Sequence, residues 1–335
     1  MVQRLIDGYG RVATDLRVSL TDRCNLRCTY CMPAEGVPWL PGKDTLTDDE
    51  IVRLVTIAIR DLGVREVRFT GGEPLLRPGL RHIVGRLRAV SEAIGAGVDL
   101  SLTTNGIGLA GKADDLRAAG LDRVNISLDS LDAETFHKLT RRDRLADVLD
   151  GLRAARAAGF APIKLNAVLM RGINDHEAPQ LLRWAIEHDY QLRFIEQMPL
   201  DAQHSWDRST MVTAEETFAL LRAEFDLTPA EEPRGSSPAE LFHVTGTDTT
   251  VGVIASVTHP FCGACDRVRL TADGQIRNCL FARTESDLRT PMRAGTDDAA
   301  LAARWQQAMA TKAAGHGIDD PAFVQPTRAM SAIGG

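Results

Sequence analysis

The sequence predicts an α/β fold: a parallel sheet curled into a partial (βα)6 barrel, with a smaller C-terminal region after it. Through the first two thirds of the 335 residues, short runs rich in β-branched residues alternate with amphipathic stretches. That alternation is the pattern of parallel strands joined by crossover helices. Residues with chemistry in them cluster around the ends of those runs, and such a barrel gathers its active groups at the carboxyl ends of its strands.

Six strands are expected, at residues 16–20, 66–69, 99–103, 123–128, 163–169 and 191–195. Helices are expected between them at 47–61, 78–90, 112–119, 145–158 and 175–189, with Gly63, Gly120 and Gly159 just past an end. Glycine there relaxes into the left-handed conformation that stops a helix. Arg17 and a cysteine loop mark strand one, Gly71 to Pro74 follow strand two, Thr104 to Gly106 strand three, and Asp129 strand four. After about Met198 the rhythm changes, and DLTPAEEPRGSSPAE (226–240) reads as a surface loop. Residues 1–225 are therefore expected to form the barrel. Residues 226–335 then hold a second cysteine group, a helix near 297–314 and the tail PTRAMSAIGG.

With 44% hydrophobic and 25% charged residues, the chain can bury a large core. Its 39 basic and 45 acidic residues leave a net charge of −6, which argues against general affinity for nucleic acid or an anionic membrane. Any anionic ligand must be met by a local group of bases. The N-terminus lacks an export signal, and no run reaches the ~18 apolar residues of a membrane span, so a cytoplasmic protein is expected. Its six cysteines are then reduced thiols, better suited to metal than to disulfides.

They fall into two groups. Cys24, Cys28 and Cys31 form C-x3-C-x2-C on one loop, enough to wrap three corners of an iron–sulfur cubane and leave one iron open to a small molecule. Structural zinc would need a fourth ligand close by, and the nearest histidine is His82. Cys262, Cys265 and Cys279 are spaced C-x2-C-x13-C, with Asp273-Gly274 as a hairpin turn that brings Cys279 back to the pair. By local chemistry this second triad suits either a cluster or a zinc ribbon completed by His259.

Arg267 and Arg269 lie two apart on one strand and share a face, which suits an oligophosphate. Arg17, Arg68, Lys164 and Arg193 lie in or beside barrel strands, expensive places for unpaired charge. Together they imply a polyanion inside the barrel.

The stretch C-N-L-R-C-T-Y-C-M-P, with Tyr30 before the last cysteine, resembles the motif of the radical S-adenosylmethionine (SAM) superfamily, and T-G-G-E-P (70–74) its SAM-binding glycine motif. That resemblance implies a [4Fe–4S] cluster on the first triad, SAM on its open iron, and SAM contacts from Tyr30, Gly72, Ser127 and Met198. Over essentially the whole chain, VRFTGGEPLLR, LTTNG, NISLDSL, RFIEQMP, FCGACDRVRLTADGQIRNCLF and the final M-S-x-I-G-G resemble the GTP 3′,8-cyclase family of molybdenum cofactor biosynthesis. The likeness implies a lyase with a second [4Fe–4S] cluster on Cys262, Cys265 and Cys279 whose open iron meets the guanine of GTP. It further implies GTP contacts from Arg17, Arg68, Thr103, Lys164, Arg193, Arg267 and Arg269, and catalytic parts for Arg17, Gly334 and Gly335. The implied partners are GTP, SAM, an unidentified electron donor, a cyclic pyranopterin monophosphate synthase that takes the product, and a second copy in a homodimer. Asp266 departs from the family's usual Asn, and a carboxylate there is expected to weaken Arg267. The nearest alternative, a peptide-modifying radical SAM enzyme, usually carries more cysteines in a longer C-terminal segment; a redox-sensing or nucleic-acid-binding metal protein fits neither the charge nor the GGEP loop.

Overall fold

The computed structural model describes residues 3–231 and 233–334. Six parallel strands stand where the periodicity predicts them: β1 (Asp15–Ser19), β2 (Glu66–Thr70), β3 (Asp99–Thr104), β4 (Arg123–Ser127), β5 (Lys164–Val168) and β6 (Gln191–Ile195). They pair in chain order. The crossovers run through α1 (Asp48–Arg60), α2 (Leu80–Ala93), α3 (Ala113–Ala118), α4 (Ala133–Thr140), α5 (Leu145–Ala157) and α6 (Ala178–Glu187). α1 starts at a capping box, in which Thr47 Oγ1 accepts from Glu50 N and Glu50 Oε2 accepts from Thr47 N, so two otherwise orphaned amides are satisfied. Helix α4, not expected from the pattern, begins at Asp132, whose carboxylate caps Thr135 N at 2.8 Å.

The sheet does not stop at six strands. After α7 (Ala214–Arg222), the strands β7 (Leu227–Pro229), β8 (Glu240–Val244) and β9 (Thr250–Ile254) follow, then β10 (Arg267–Leu270), β11 (Gln275–Arg277) and β12 (Ser286–Asp287). β9 adds parallel to β6, and β10 adds parallel to β1, so the C-terminal region lengthens both edges of one twelve-stranded sheet. Residues 226–240 are correspondingly not all loop. Leu227–Pro229 pairs antiparallel with β8, because an edge strand tolerates Pro229 where a central one would not. Three helices complete the chain: α8 (Arg289–Arg293), α9 (Asp298–Ala310) and α10 (Met330–Ile333).

Leu16, Val18, Val67, Phe69, Leu100 and Leu102 are buried between the sheet and its helices, as strands covered on both sides require. On the other face, residues from all eight parallel strands, from Arg269 on β10 to Ile254 on β9, line one cavity. The sheet thus curls into an open barrel around it. Among the described residues no helix is long and apolar enough to cross a membrane.

Candidate active site

The first cysteine loop leaves the carboxyl end of β1 and docks on the turn after β2. Leu20 N bonds Thr70 O, Gly72 N bonds Thr21 O at 2.8 Å, and Glu73 N bonds Arg23 O at 2.7 Å. At this approach a Cβ on Gly71 would overlap the Thr21 carbonyl oxygen, and one on Gly72 the Arg23 carbonyl oxygen. Gly71 also sits at φ +132°. Both glycines are therefore demanded by the cysteine loop itself, as well as lining the adjoining cavity. Glu73 is fully buried and accepts from Leu75 N, Thr104 Oγ1 and Asn105 N at 2.7–2.9 Å, which ties this turn to the end of β3. Burial pushes its carboxyl up to about 7 against those three donors.

Cys24, Cys28 and Cys31 line a cavity of ≈190 Å³ together with Gly72, Ser127 and Met198. Burial is the main cause that raises all three thiols, Cys31 to about 12; neighbouring thiolates add to it at Cys28 and Cys31, and the Glu73 charge at Cys24. Such a group stays protonated until a metal replaces its protons, so the donor set suits an iron–sulfur cluster. Tyr30 does not reach the cavity as a free hydroxyl: it donates to Asp129 Oδ2 at 2.7 Å, while Val168 N donates to Asp129 Oδ1. Burial raises the Asp129 carboxyl to about 6. The buried Gln197 Oε1 and Ser331 Oγ, both in residues lining the cavity, have no hydrogen-bond partner.

A second cavity of ≈270 Å³ abuts the first, and Tyr30, Thr103, Ser127, Asp129 and Met198 belong to both walls. Its remaining walls bring together Arg17, Arg68 and Arg193 with Arg267 and Arg269. Strand register explains the gathering: Arg269 on β10, Arg17 on β1 and Arg68 on β2 are successive lateral neighbours. The Nε atoms of Arg17, Arg68, Arg267 and Arg269 are buried without a hydrogen-bond partner. Asp15 is the carboxylate beside them, with Oδ2 at 3.7 Å from Arg17 Nη2 and 3.6 Å from Arg267 Nε. Burial alone would raise its carboxyl, but the four arginines hold it below the usual range. For Arg17 burial dominates, and it lowers the guanidinium well below its ordinary value. Buried cations outnumber their anions here, which is a receptor for a polyanion.

Cys262, Cys265 and Cys279 form the far wall of this second cavity. The expected hairpin is present: Gly274, at φ +79°, turns β10 into antiparallel β11, and the chain returns Cys279 towards Cys265. Cys265 precedes β10 at the amino ends of β10 and β1, where Asp15 faces Arg267, whereas Cys24 follows the carboxyl end of β1. The two triads thus close opposite ends of the barrel. Burial raises Cys262; at Cys265 burial is outweighed by Lys312 and Arg267, and its thiol lies below the ordinary value. Among the described residues no three His, Cys, Asp or Glu side chains converge on one point as a single metal ion needs. His259, the candidate zinc ligand, is exposed and outside the cavity.

Lys164, Gly334 and Asp266 stand apart from both cavity walls. Lys164, on β5, lines neither cavity; burial first, then Arg193, Arg123 and Arg68, lower its amine to about 8. Gly334 is held beside the first cavity, where Ser19 Oγ donates to Ile333 O and a Cβ on Gly334 would crowd Ser19 and Thr70. Gly335 lies outside the described residues. Asp266 does not face the arginines' cavity: its Oδ2 accepts from Thr14 Oγ1 at 3.0 Å. Asp15 and Lys312 went unnoticed in the sequence, because neither carries a motif and only the folded register sets them beside the site.

The chain matches the radical SAM superfamily over residues 18–185 and the family described as Molybdenum Cofactor Synthesis C over 190–318. It is 64% identical over 332 residues to a GTP 3′,8-cyclase of Streptomyces coelicolor, covering 99% of this chain and 96% of the relative. It is 57% identical to a GTP 3′,8-cyclase of Corynebacterium glutamicum, covering 99% and 89%. In fold it resembles Streptococcus suis SuiB, solved with its precursor peptide SuiA, with a TM-score of 0.60, 14% identity, and coverage of 88% of this chain and 64% of that one.

Proposed function

We propose the chemistry of this site from one premise: the chain belongs to the GTP 3′,8-cyclase family of radical SAM enzymes. It converts GTP to (8S)-3′,8-cyclo-7,8-dihydroguanosine 5′-triphosphate in molybdenum cofactor biosynthesis. SAM and an iron–sulfur cluster on Cys24, Cys28 and Cys31, when bound, supply a 5′-deoxyadenosyl radical, the hydrogen acceptor this cyclisation needs.

The residues of this chain supply position and exclusion of water. In the first cavity the backbone of Gly72 takes the SAM amino group, Ser127 its carboxylate and Met198 its adenine, with Tyr30 held rigid by Asp129 at the partition. GTP fills the second cavity. Its triphosphate meets the guanidinium groups of Arg17, Arg68, Arg267 and Arg269, whose Nε atoms have no hydrogen-bond partner, with Arg193 and Thr103 beside the ribose. Lys164 adds a longer-range positive charge. Cys262, Cys265 and Cys279 would hold a second [4Fe–4S] cluster, which would bind the guanine end of GTP. The ribose is then carried to the wall shared with the first cavity, where C3′ loses hydrogen and bonds to C8. Arg17 steers or protonates the base as the new bond forms, and Gly334, held beside the first cavity, helps to close it. Misplacement by an ångström is costly in such a reaction. A one-electron donor and hand-over to the next synthase complete the scheme.

The observation that carries this reading is the row Arg269, Arg17 and Arg68 between two cysteine triads at opposite ends of one barrel. Anaerobic incubation of reconstituted protein with SAM, dithionite and GTP deuterated at C3′ tests it. Deuterium is expected in 5′-deoxyadenosine; none there, with SAM still cleaved, points to a different substrate.

A further inference from the structure

Lys312 follows the end of α9 and is buried, only 4% exposed. Its ammonium makes three contacts: Arg267 O at 2.9 Å, Cys265 O at 3.0 Å and Cys265 Sγ at 3.4 Å. It forms no ion pair with any carboxylate among the described residues, so the sulfur is its one anionic neighbour. A buried ammonium facing a neutral thiol would be costly, and the cost falls only if that sulfur carries charge. The same short segment serves the second sulfur. Four residues on, the backbone N–H of His316 donates to the Cys262 sulfur, and the His316 ring is fixed by Ser256 O at 3.0 Å. A Cβ on Gly315 would lie at ordinary contact distance from Cys262. On the first triad the neighbouring cation, Arg27, donates to Cys24 O at 2.7 Å, and the amide of Asn105 approaches Cys24 Sγ only at 4.0 Å.

We infer that Lys312 is a positioning residue for the second cluster: its ammonium locks Cys265 by a hydrogen bond to sulfur and raises that cluster's reduction potential above what three thiolates alone would set. This rests on the assignment of a cluster to Cys262, Cys265 and Cys279. Positive charge and N–H donors at cluster sulfurs stabilise the more negative, reduced state, whereas thiolates left bare disfavour it.

The test is an EPR-monitored redox titration of the holoenzyme, with iron counted per chain and the first cluster's signal marked by its change on adding SAM. In Lys312→Met, iron stays near eight per chain, the SAM-sensitive signal keeps its midpoint, and the other signal moves to a more negative potential. Lys312→Arg, which keeps the charge, restores most of the shift. If Lys312→Met loses the second cluster, Lys312→Arg is expected to retain it; loss from both overturns the role of the charge. An unchanged midpoint in Lys312→Met with about eight irons sinks the proposal. Only about four irons in the unmodified protein sinks the cluster assignment instead.

Discussion

Arg17 on β1 and Arg68 on β2 are direct register partners on adjacent parallel strands, and the Nε of each is buried without a hydrogen-bond partner. Strands at about 4.8 Å spacing hold two like charges together, with Asp15 beside Arg17, an arrangement that costs stability until an anion arrives. Arg68→Gln is expected to raise the melting temperature of the GTP-free protein and to shrink the further rise that GTP produces. GTP affinity should fall at least about tenfold, roughly 1.4 kcal/mol. An equal GTP-induced rise in both proteins would remove Arg68 from the binding site.

Arg17 is flanked by Arg68 and Arg269 and sits 3.7 Å from Asp15 Oδ2. If it steers the base, Arg17→Ala lowers kcat at saturating GTP by about 100-fold or more, the scale of a lost proton-transfer group. 5′-Deoxyadenosine still forms while cyclised product does not. A change confined to KM would leave Arg17 as a binding residue only.

Gly72 faces the Arg23 and Asp22 carbonyl oxygens, with no room for a Cβ. Gly72→Ala must displace the cysteine loop, and the loop carries the first triad. Iron is expected to drop from about eight to about four per chain, the second cluster remaining. Full iron content would show that the loop accommodates the methyl group.

Lys164 has its amine lowered to about 8 by burial and by Arg193, Arg123 and Arg68. The folded value lies below the unfolded 10.5, so its charge is present below about pH 8 and lost above it. If that charge attracts the triphosphate, GTP binding weakens as pH rises through 8, and Lys164→Gln flattens that slope. Parallel pH profiles in the two proteins would exclude Lys164 from GTP binding.

The tail is anchored by Arg328, whose two Nη atoms donate to Asp273 at 2.9 and 2.7 Å and reach Glu285 at 2.8 Å. Met330 N adds a bond to Leu200 O, and Ile333 is fully buried. Arg328→Ala should weaken the anchor by about 2 kcal/mol, expose the C-terminus to carboxypeptidase and reduce cyclisation, with both clusters retained. Deletion of Gly334 and Gly335 should abolish it. Normal product from the deleted chain would show that the tail serves only stability.

Motif spacing made both cysteine triads legible, because three cluster ligands on a short loop must be local in sequence. Period and punctuation gave the six central strands to within about a residue at most of their ends, since parallel strands are short, apolar and separated by capped helices. The hairpin at Gly274 was legible for the same local reason. Helices α4, α7, α8 and α10, all under ten residues, were not.

The sequence by itself thus determined the elements, the two metal-binding loops and the surplus of bases expected inside the barrel. Tertiary structure alone decided that β9 and β10 return to lengthen the sheet, and hence that the triads face each other through the barrel rather than gathering at one end. It also decided that Asp15 sits among the arginines, that Asp266 turns to Thr14 and that Lys312 reaches Cys265. The physical reason is reach: caps, turns and ligand loops are satisfied within a few residues. Strand register and the pairing of buried charges join positions 252 residues apart, and only the packed sheet selects them.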